Sequence, residues 1–480
     1  MQGVFPSSIA ESPRLRGDDI RVSMSRVITG WAFGAIFFQM SAGSVYASFA
    51  RQLGLSEGVF GFLAGVYPLM QFMQLVAARM LEGRSTARSM MLWGGLICRS
   101  LWVVAALLPL LHKFAPQILP RPALVPLFVM CVVLSSAFQA FTGPSFLVWM
   151  SALVPGRVGP SFWAKRHQIG TIAGLCAVLV GNFLADQGAF VKEWTNGAVP
   201  PLMLYSVILA IAAVCGVVDI AVFFGVREVA EDGPAEAKPP LIESLKAPLR
   251  ERKVRNYIAF SVLSTIGAAM TGPMAFLFCL EHLDLDRSQT GLLLSIAPLL
   301  GVALSAPMWG RIAKAHGTRP MLRLASVFMV MVPIAWLCAS RSTIWAMGLV
   351  IFSSGVFSAP FDISNMNFMT RACPHLPRST VTALFSLCTG VSFALASTLA
   401  GFAAQHFKDW SFEVGDWTFV GYHLIFACAL LPRALGAFLL APKLEEEDAT
   451  PTREAVMEVG SNLAQAFGTR FSRFLDARVD

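Results

Sequence analysis

LDLDRSQTGLLLSIAPLLGVALSAPMWGRIAKAHGTRPML, residues 283–322, decides the fold. A polar, acidic start at Asp284 and Asp286 gives way to an unbroken apolar run, 289–312, which ends in a turn carrying Arg311, Lys314 and Arg319. The run supplies the ~20 residues that an α-helix needs to cross a ~30 Å hydrocarbon layer. Within lipid only a helix or a closed barrel satisfies its own backbone. The same order of polar, apolar and polar recurs along the chain, with spans at 27–50, 58–81, 89–111, 123–148, 167–188, 202–226, 257–280, 289–312, 320–340, 343–367, 379–405 and 418–441, numbered 1 to 12 below. Composition agrees. Hydrophobic residues make up 55% and charged residues 14%, with a mean hydropathy of +0.63; a soluble domain needs about 25% charged residues to cover its surface.

The Lys and Arg residues orient the spans. With both termini inside, the inner segments together with the inner ends of the spans beside them hold 28 of the 37 and the outer segments 7, while Arg99 and Arg433 lie deeper within spans. Positive residues accumulate on the cytoplasmic side, so the sequence predicts an integral protein of the inner or plasma membrane with cytoplasmic termini. The net charge of +8 forms no basic stripe interleaved with aromatics, which argues against nucleic-acid binding. The nine cysteines show neither CxxC nor Cys/His spacing and read as small buried hydrophobes, with no metal site. The seven histidines are isolated, no catalytic constellation emerges, and no phosphate-binding glycine loop precedes a lysine. The expectation is a protein that is not an enzyme and carries no cofactor.

The longest break divides the spans six plus six. The predicted organisation is a cytoplasmic tail (1–26), a first bundle (27–226), a linker with an amphipathic segment (227–256), a second bundle (257–441) and a tail (442–480). The halves echo one another: SSAFQAFTGPSFLVWMSALVP (135–155) lies over SSGVFSAPFDISNMNFMTRACP (353–374), and the turn LEGRSTARSMML (81–92) over WGRIAKAHGTRPML (309–322). Such repeats mark transporters whose halves rock about a midplane site. In the last tail Val456, Val459, Leu463, Phe467, Phe471 and Phe474 recur at helical spacing. They suggest an interfacial helix on the inner leaflet, with a cytoplasmic protein partner as the alternative.

GRIAKAHGTRPML resembles the loop that joins helices 2 and 3, and 8 and 9, in the major facilitator superfamily. Gly310, Arg311, Ala313, Gly317 and Arg319 match its pattern; Lys314 stands where that family has an acidic residue, and the first half keeps Glu82, Gly83, Arg84 and Arg88. The resemblance covers roughly 25–442. It implies an all-α membrane protein of twelve helices in two pseudo-symmetric bundles, with spans 1, 4, 7 and 10 at the cavity and spans 3, 6, 9 and 12 at the periphery. It also implies a latch made by Glu82, Arg84 and Arg88 in one turn and Gly310, Arg311, Gly317 and Arg319 in the other.

Polar residues fall on single faces of the predicted cavity helices. Gln39 and Tyr46 lie on span 1, Gln139 and Thr142 on span 4, and Ser358 and Asn365 on span 10; Gln71 adds a further stripe on span 2. These seven are the candidate solute contacts, with helix-to-helix adhesion as the plain alternative. Asp362 is the lone carboxylate on such a face and is the candidate for proton coupling, an inner-gate latch being its alternative. Asp186 is expected to reach water and Arg433 to extend toward the inner surface. Arg99 and Asp219, on adjacent peripheral helices, are expected to form a structural ion pair, because unpaired charge in lipid is costly. A cavity with little fixed charge suits a neutral, zwitterionic or amphipathic organic solute. The reading is therefore a secondary active transporter working by alternating access, its partners being that solute, the lipid bilayer and protons. A receptor or scaffold that does not transport, and a lipid or lysolipid translocator, are the alternatives.

Overall fold

The computed structural model describes residues 17–80, 87–154, 159–227, 246, 248–371, 378–414, 417–445 and 457. The side chains of Lys314 and Asp362 fall outside that description, as do most of the linker and the carboxyl-terminal tail, including the predicted interfacial helix.

Among the described residues ten helices are long and apolar enough to cross a membrane: Ala87–Phe114, Arg121–Met150, Lys165–Asp186, Pro201–Phe223, Arg252–Glu281, Arg287–Ala313, Arg319–Leu337, Ile344–Asn365, Leu384–His406 and Gly421–Lys443. They are spans 3 to 12. The first two positions hold interrupted helices, where unbroken ones were expected. Span 1 consists of Gly17–Met40 and Ser44–Leu53. The helix stops at Ser41-Ala42-Gly43, where Gly43 turns extended (φ −95°, ψ −162°) and the Ser41 hydroxyl bonds back to the Phe38 carbonyl, a local competition with helical bonding that serine favours. Span 2 consists of Glu57–Met70 and Gln74–Met80 joined by a 3-10 turn at Gln71–Met73, just past Pro68. A proline inside a helix removes a backbone donor.

Several helices outrun their apolar segments: span 5 starts at Gly159 and span 7 at Arg252. Hydropathy marks the thickness of the hydrocarbon, whereas the polar turns beside it go on satisfying their backbone as helix. Before span 12 the structure has a hairpin, Ser411–Val414 paired antiparallel with Trp417–Val420. The sequence reading assigned most of its second strand to span 12, so that helix starts at Gly421.

Helix packing repeats between the halves. Span 1 packs on spans 5 and 6, and span 3 on spans 4 and 6; in the second half span 7 packs on spans 11 and 12, and span 9 on spans 10 and 12. Span 2 lies along span 4 as span 8 lies along span 10, and the halves meet where span 2 runs along span 11 and where the ends of spans 5 and 8 touch. At the span 2–span 11 seam the backbones approach closely because Gly61 and Gly65 face Ala394, Ser397 and Gly401. Small residues at this spacing let membrane helices come together.

Among the described residues the buried core that the halves share lies toward one end. One large cluster draws on both: Met40, Tyr46, Phe49, Phe60 and Phe128 from the first, and Phe278, Trp336 and Phe426 from the second. Toward the other end the core separates. There Val27, Trp149 and Phe223 cluster within the first half, while Val254 with Val381, Tyr257 with Phe260, and Trp309 with Met321 form clusters within the second. We call these the closed end and the open end.

Candidate functional site: a polar cavity behind a closed gate

Charged side chains placed at helix ends seal the closed end. Asp186, at the end of span 5, accepts the backbone N–H groups of Arg287 and Ser288 at 2.9 Å each and the Ser288 hydroxyl, and forms an ion pair with the Arg287 guanidinium at 3.9 Å. A carboxylate at the first turn of a helix meets its unpaired donors and its positive dipole end, so Asp186 of the first half caps span 8 of the second. The expectation that it simply reaches water is corrected. Arg287 also donates to the Ser48 hydroxyl at 3.3 Å, and the Ser44 hydroxyl bonds both Asn182 (2.6 Å) and the Arg287 carbonyl (3.3 Å). Beside these, Arg51 pairs with Glu57 at 3.0 Å and with Glu281, which accepts the Tyr422 hydroxyl; Lys408 lies 3.6 Å from Glu57. The hydrogen bonds of Ser44 with Arg287, of Arg287 with Ser48 and of Asp186 with Arg287 and Ser288, and the ion pairs Arg51–Glu281, Asp186–Arg287 and Lys408–Glu57, all join the halves in this region. His282 is next to it. Burial pushes its imidazole below the ordinary value of 6.5, against a backbone hydrogen bond at Thr418.

Sequence reasoning missed these gate residues. Their one signal was a charge at a span boundary, indistinguishable from ordinary loop charge.

Behind the gate, the first half presents a polar wall. Tyr67 is 45% exposed, Gln71 lies beside it, and the Gln74 side-chain amide donates to the side-chain amide oxygen of Gln71. Gln139 accepts from Arg99 at 2.8 Å and donates to Thr142 at 2.8 Å. Gln139 is thereby held with its amide oriented, while Thr142 is buried and bonds back to its own helix. Gln39, in contrast, packs against span 5 at Gly174. Tyr46 is a correction to the expected solute contacts. At 8% exposure it stacks on Phe60 and packs against Trp102 and Phe128 in the closed-end core, because the break at residues 41–43 redirects the helix that carries it.

Arg99 and Asp219 come together at the back of this wall. The Arg99 guanidinium is 3.7 Å from Asp219, and their residues are 3% and 5% exposed. Glycines make the room: Gly30 and Gly34 of span 1 leave the groove that Asp219 fills, and Gly216 of span 6 accommodates the Arg99 stem. Phe37 and Phe38 lie over the guanidinium at 4.1 and 4.6 Å, within cation–π range.

On the second half Ser358 bonds its own helix at Gly355 (2.9 Å), and Asn365 accepts the Tyr257 hydroxyl at 2.5 Å. Phe361 stacks on Phe260. These contacts hold span 10 to span 7 on either side of position 362. Arg433 does not extend to the surface as expected; it is packed against Gly267 of span 7, with its Nε buried and without a hydrogen-bond acceptor.

The predicted latch is only partly described, since Glu82 and Arg84 lie outside the described residues. Arg88 reaches the Phe224 carbonyl (2.8 Å) within its own half, and Arg311 donates to Pro307 of its own helix. Gly310 faces open space, Gly317 closes span 8 at φ +80°, and Arg319 opens span 9.

No curated protein matches the chain by sequence. Its fold is similar to solved structures at low identity. A substitution variant of the nucleoside transporter NupG aligns with a TM-score of 0.63 and 11% identity, covering 89% of this chain and 100% of that one. A bacterial homologue of the human lysosomal transporter Spinster, inward-facing and unoccupied, aligns at 0.60 and 14%, covering 91% and 100%. A bacterial homologue of the iron transporter ferroportin, also inward-facing, aligns at 0.58 and 14%, covering 87% and 98%. Residues 257–475 match the sequence pattern described as Major Facilitator Superfamily. The second half of the chain thus carries the Major Facilitator Superfamily pattern, and the fold of the chain as a whole is similar to that of these transporters.

Proposed function

We propose that the protein is a secondary active transporter of a small organic solute, working by alternating access. The observation that carries this reading is the asymmetry of the inter-bundle contacts among the described residues: specific ion pairs and one shared core at one end, separate cores and a polar wall at the other. Two bundles joined in that way have a second arrangement open to them, in which the gate parts and the other end closes. Ligand binding can then bias two discrete states. The distribution of Lys and Arg makes the closed end the outer one, with both termini cytoplasmic and the protein facing inward. The latch turns at the inner end belong to the opposite state.

Gln71 and Gln139, supported by Thr142, are the solute contacts of the first bundle, and Ser358 and Asn365 those of the second. Asp362, between the two contacts that fix span 10 to span 7, is the coupling carboxylate. A protonated side chain crosses the closed state at less cost than an ion. Lipid or lysolipid translocation is the second reading. It draws support from a groove between spans 8 and 10 near the closed end, lined by Leu285, Gln289, Leu292, Ala297, Trp345 and Gly348.

Counterflow and pH-driven accumulation in proteoliposomes test the proposal. Accumulation driven by a pH gradient should disappear in Asp362→Asn while counterflow persists. Unchanged accumulation in that variant removes Asp362 from coupling, and movement of fluorescent phospholipid without solute exchange replaces the solute reading with the lipid one.

A further inference from the structure

We infer that Arg166 is the recognition point for an anionic group, so that the solute carries a carboxylate, phosphate or similar acid on a partly apolar body. The inference rests on the transporter reading and narrows its substrate class. From the sequence Arg166 belongs to the basic turn before span 5. The structure instead sets its guanidinium among aromatic rings of three helices: Trp31 of span 1 at 4.0 Å, Phe146 of span 4 at 4.9 Å and Trp163 of span 5 at 5.7 Å. Gly170, one turn along span 5, leaves the room that the Trp31 indole fills.

Charge accounting in the first bundle points the same way. Among the described residues at membrane depth, two guanidiniums, Arg99 and Arg166, share one carboxylate, Asp219. Asp219 makes its 3.7 Å contact with Arg99, which also bonds Gln139. Arg166 interacts with Asp219 only at longer range, and its Nε is buried without an acceptor. The two sites are connected, since Trp31 packs on Phe38, which lies over Arg99. One positive charge is left over among spans 1, 4 and 5. Buried donors are normally satisfied, and ring faces attract a cation without accepting its N–H groups as a carboxylate does. A ligand oxyanion supplies the missing acceptor in the geometry that a guanidinium fits. The aromatic cage itself would suit a cationic ligand, but Arg166 already occupies it and repels a second cation.

The test uses matched pairs of acid and amide, benzoate with benzamide and hexanoate with hexanamide, on the purified full chain in nanodiscs of neutral lipid, with thermal stability as the readout. The acids should stabilise the wild type saturably and the amides should not. Arg166→Gln should raise the half-saturating acid concentration at least tenfold, whereas Arg341→Gln, the same charge change at an exposed residue of the closed end, should leave it unchanged. Arg166→Lys keeps the charge and loses the fork, so it should retain the acid preference at a several-fold higher concentration; this variant decides the matter if the glutamine variant does not fold. Equal responses to acid and amide, no response of the wild type to either acid, or wild-type behaviour in both variants overturns the site. Counterflow of the same pairs separates the two proposals. Exchange of amide alone leaves the transporter standing and removes the anion site, while acids that bind at Arg166 and never exchange remove the transporter.

Discussion

Replacing Gly65 with alanine should weaken the closed end and shift the protein toward the state in which that end is open. A Cβ at this position would lie 2.5 Å from the Ala394 Cα across the span 2–span 11 seam. Carbon atoms rest about 3.5 Å apart at closest favourable contact. Both atoms belong to rigid parts of their helices, so the seam has to widen by about 1 Å. Overpacking of this kind costs about 1–3 kcal/mol. If the seam is tight only in the inward-facing state, the cost falls on that state and changes the ratio of the two states by about 5–150-fold. Spin labels read both ends: positions 192 and 413 across the closed end, and positions 165 and 311 across the open end, all exposed. In Gly65→Ala the first distance should lengthen and the second shorten. Gly272→Ala, where an added Cβ meets no atom within 4 Å, should match the wild type. If Gly65→Ala leaves both distributions unchanged, the seam is not part of a gate and the reasoning fails.

Removing one member of the Arg99–Asp219 pair leaves a buried charge and should cost about 3–5 kcal/mol, whereas Arg99→Leu combined with Asp219→Leu should cost less; thermal unfolding in detergent measures both, and a double variant no more stable than either single one argues against the pairing. Asp186→Asn should lower the population of the inward-facing state by weakening the cap on span 8, seen as a lengthened distance between labels at positions 192 and 413. His282 gives a pH dependence: burial holds its imidazole below 6.5, so its contribution to folded stability is complete above that value and is lost as pH falls through the lowered one. Thermal stability should therefore drop on acidification below about 6.5, and the drop should shrink in His282→Asn.

The helices were legible because lipid leaves the backbone few alternatives, and ten of the expected spans appear where apolar length put them. The interruption of span 1 was harder to see. Ser41-Ala42-Gly43 is no more polar than many uninterrupted stretches, and only local hydrogen bonding and the extended backbone at Gly43 mark it. That break displaced Tyr46 from the wall into the core. Side-chain partners across the repeat were the least legible. Asp186 meets Arg287 more than a hundred residues away, and nothing in either flanking sequence says which end of span 8 faces which end of span 5. Arg166 was obscured for another reason. A basic residue at a span boundary has the pattern of a surface anchor, and two of the three rings that enclose it come from helices 20 and 135 residues away in the sequence. Arg99 and Asp219 were easier, since charges deep in apolar runs need partners and matching depths left few choices.

The central claim is that solute crosses because the closed-end gate opens. Cysteines at 51 and 281, in a background without Cys176, Cys338 and Cys428, which are exposed, allow a short bifunctional thiol reagent to hold together the ends that the Arg51–Glu281 pair joins. The measurement is solute counterflow in proteoliposomes before and after cross-linking, across neutral, zwitterionic and acidic organic solutes. Exchange of at least one solute that is lost on cross-linking and recovered when the cross-link is cleaved is the predicted result. Exchange that continues at the same rate through the cross-linked protein would contradict the claim.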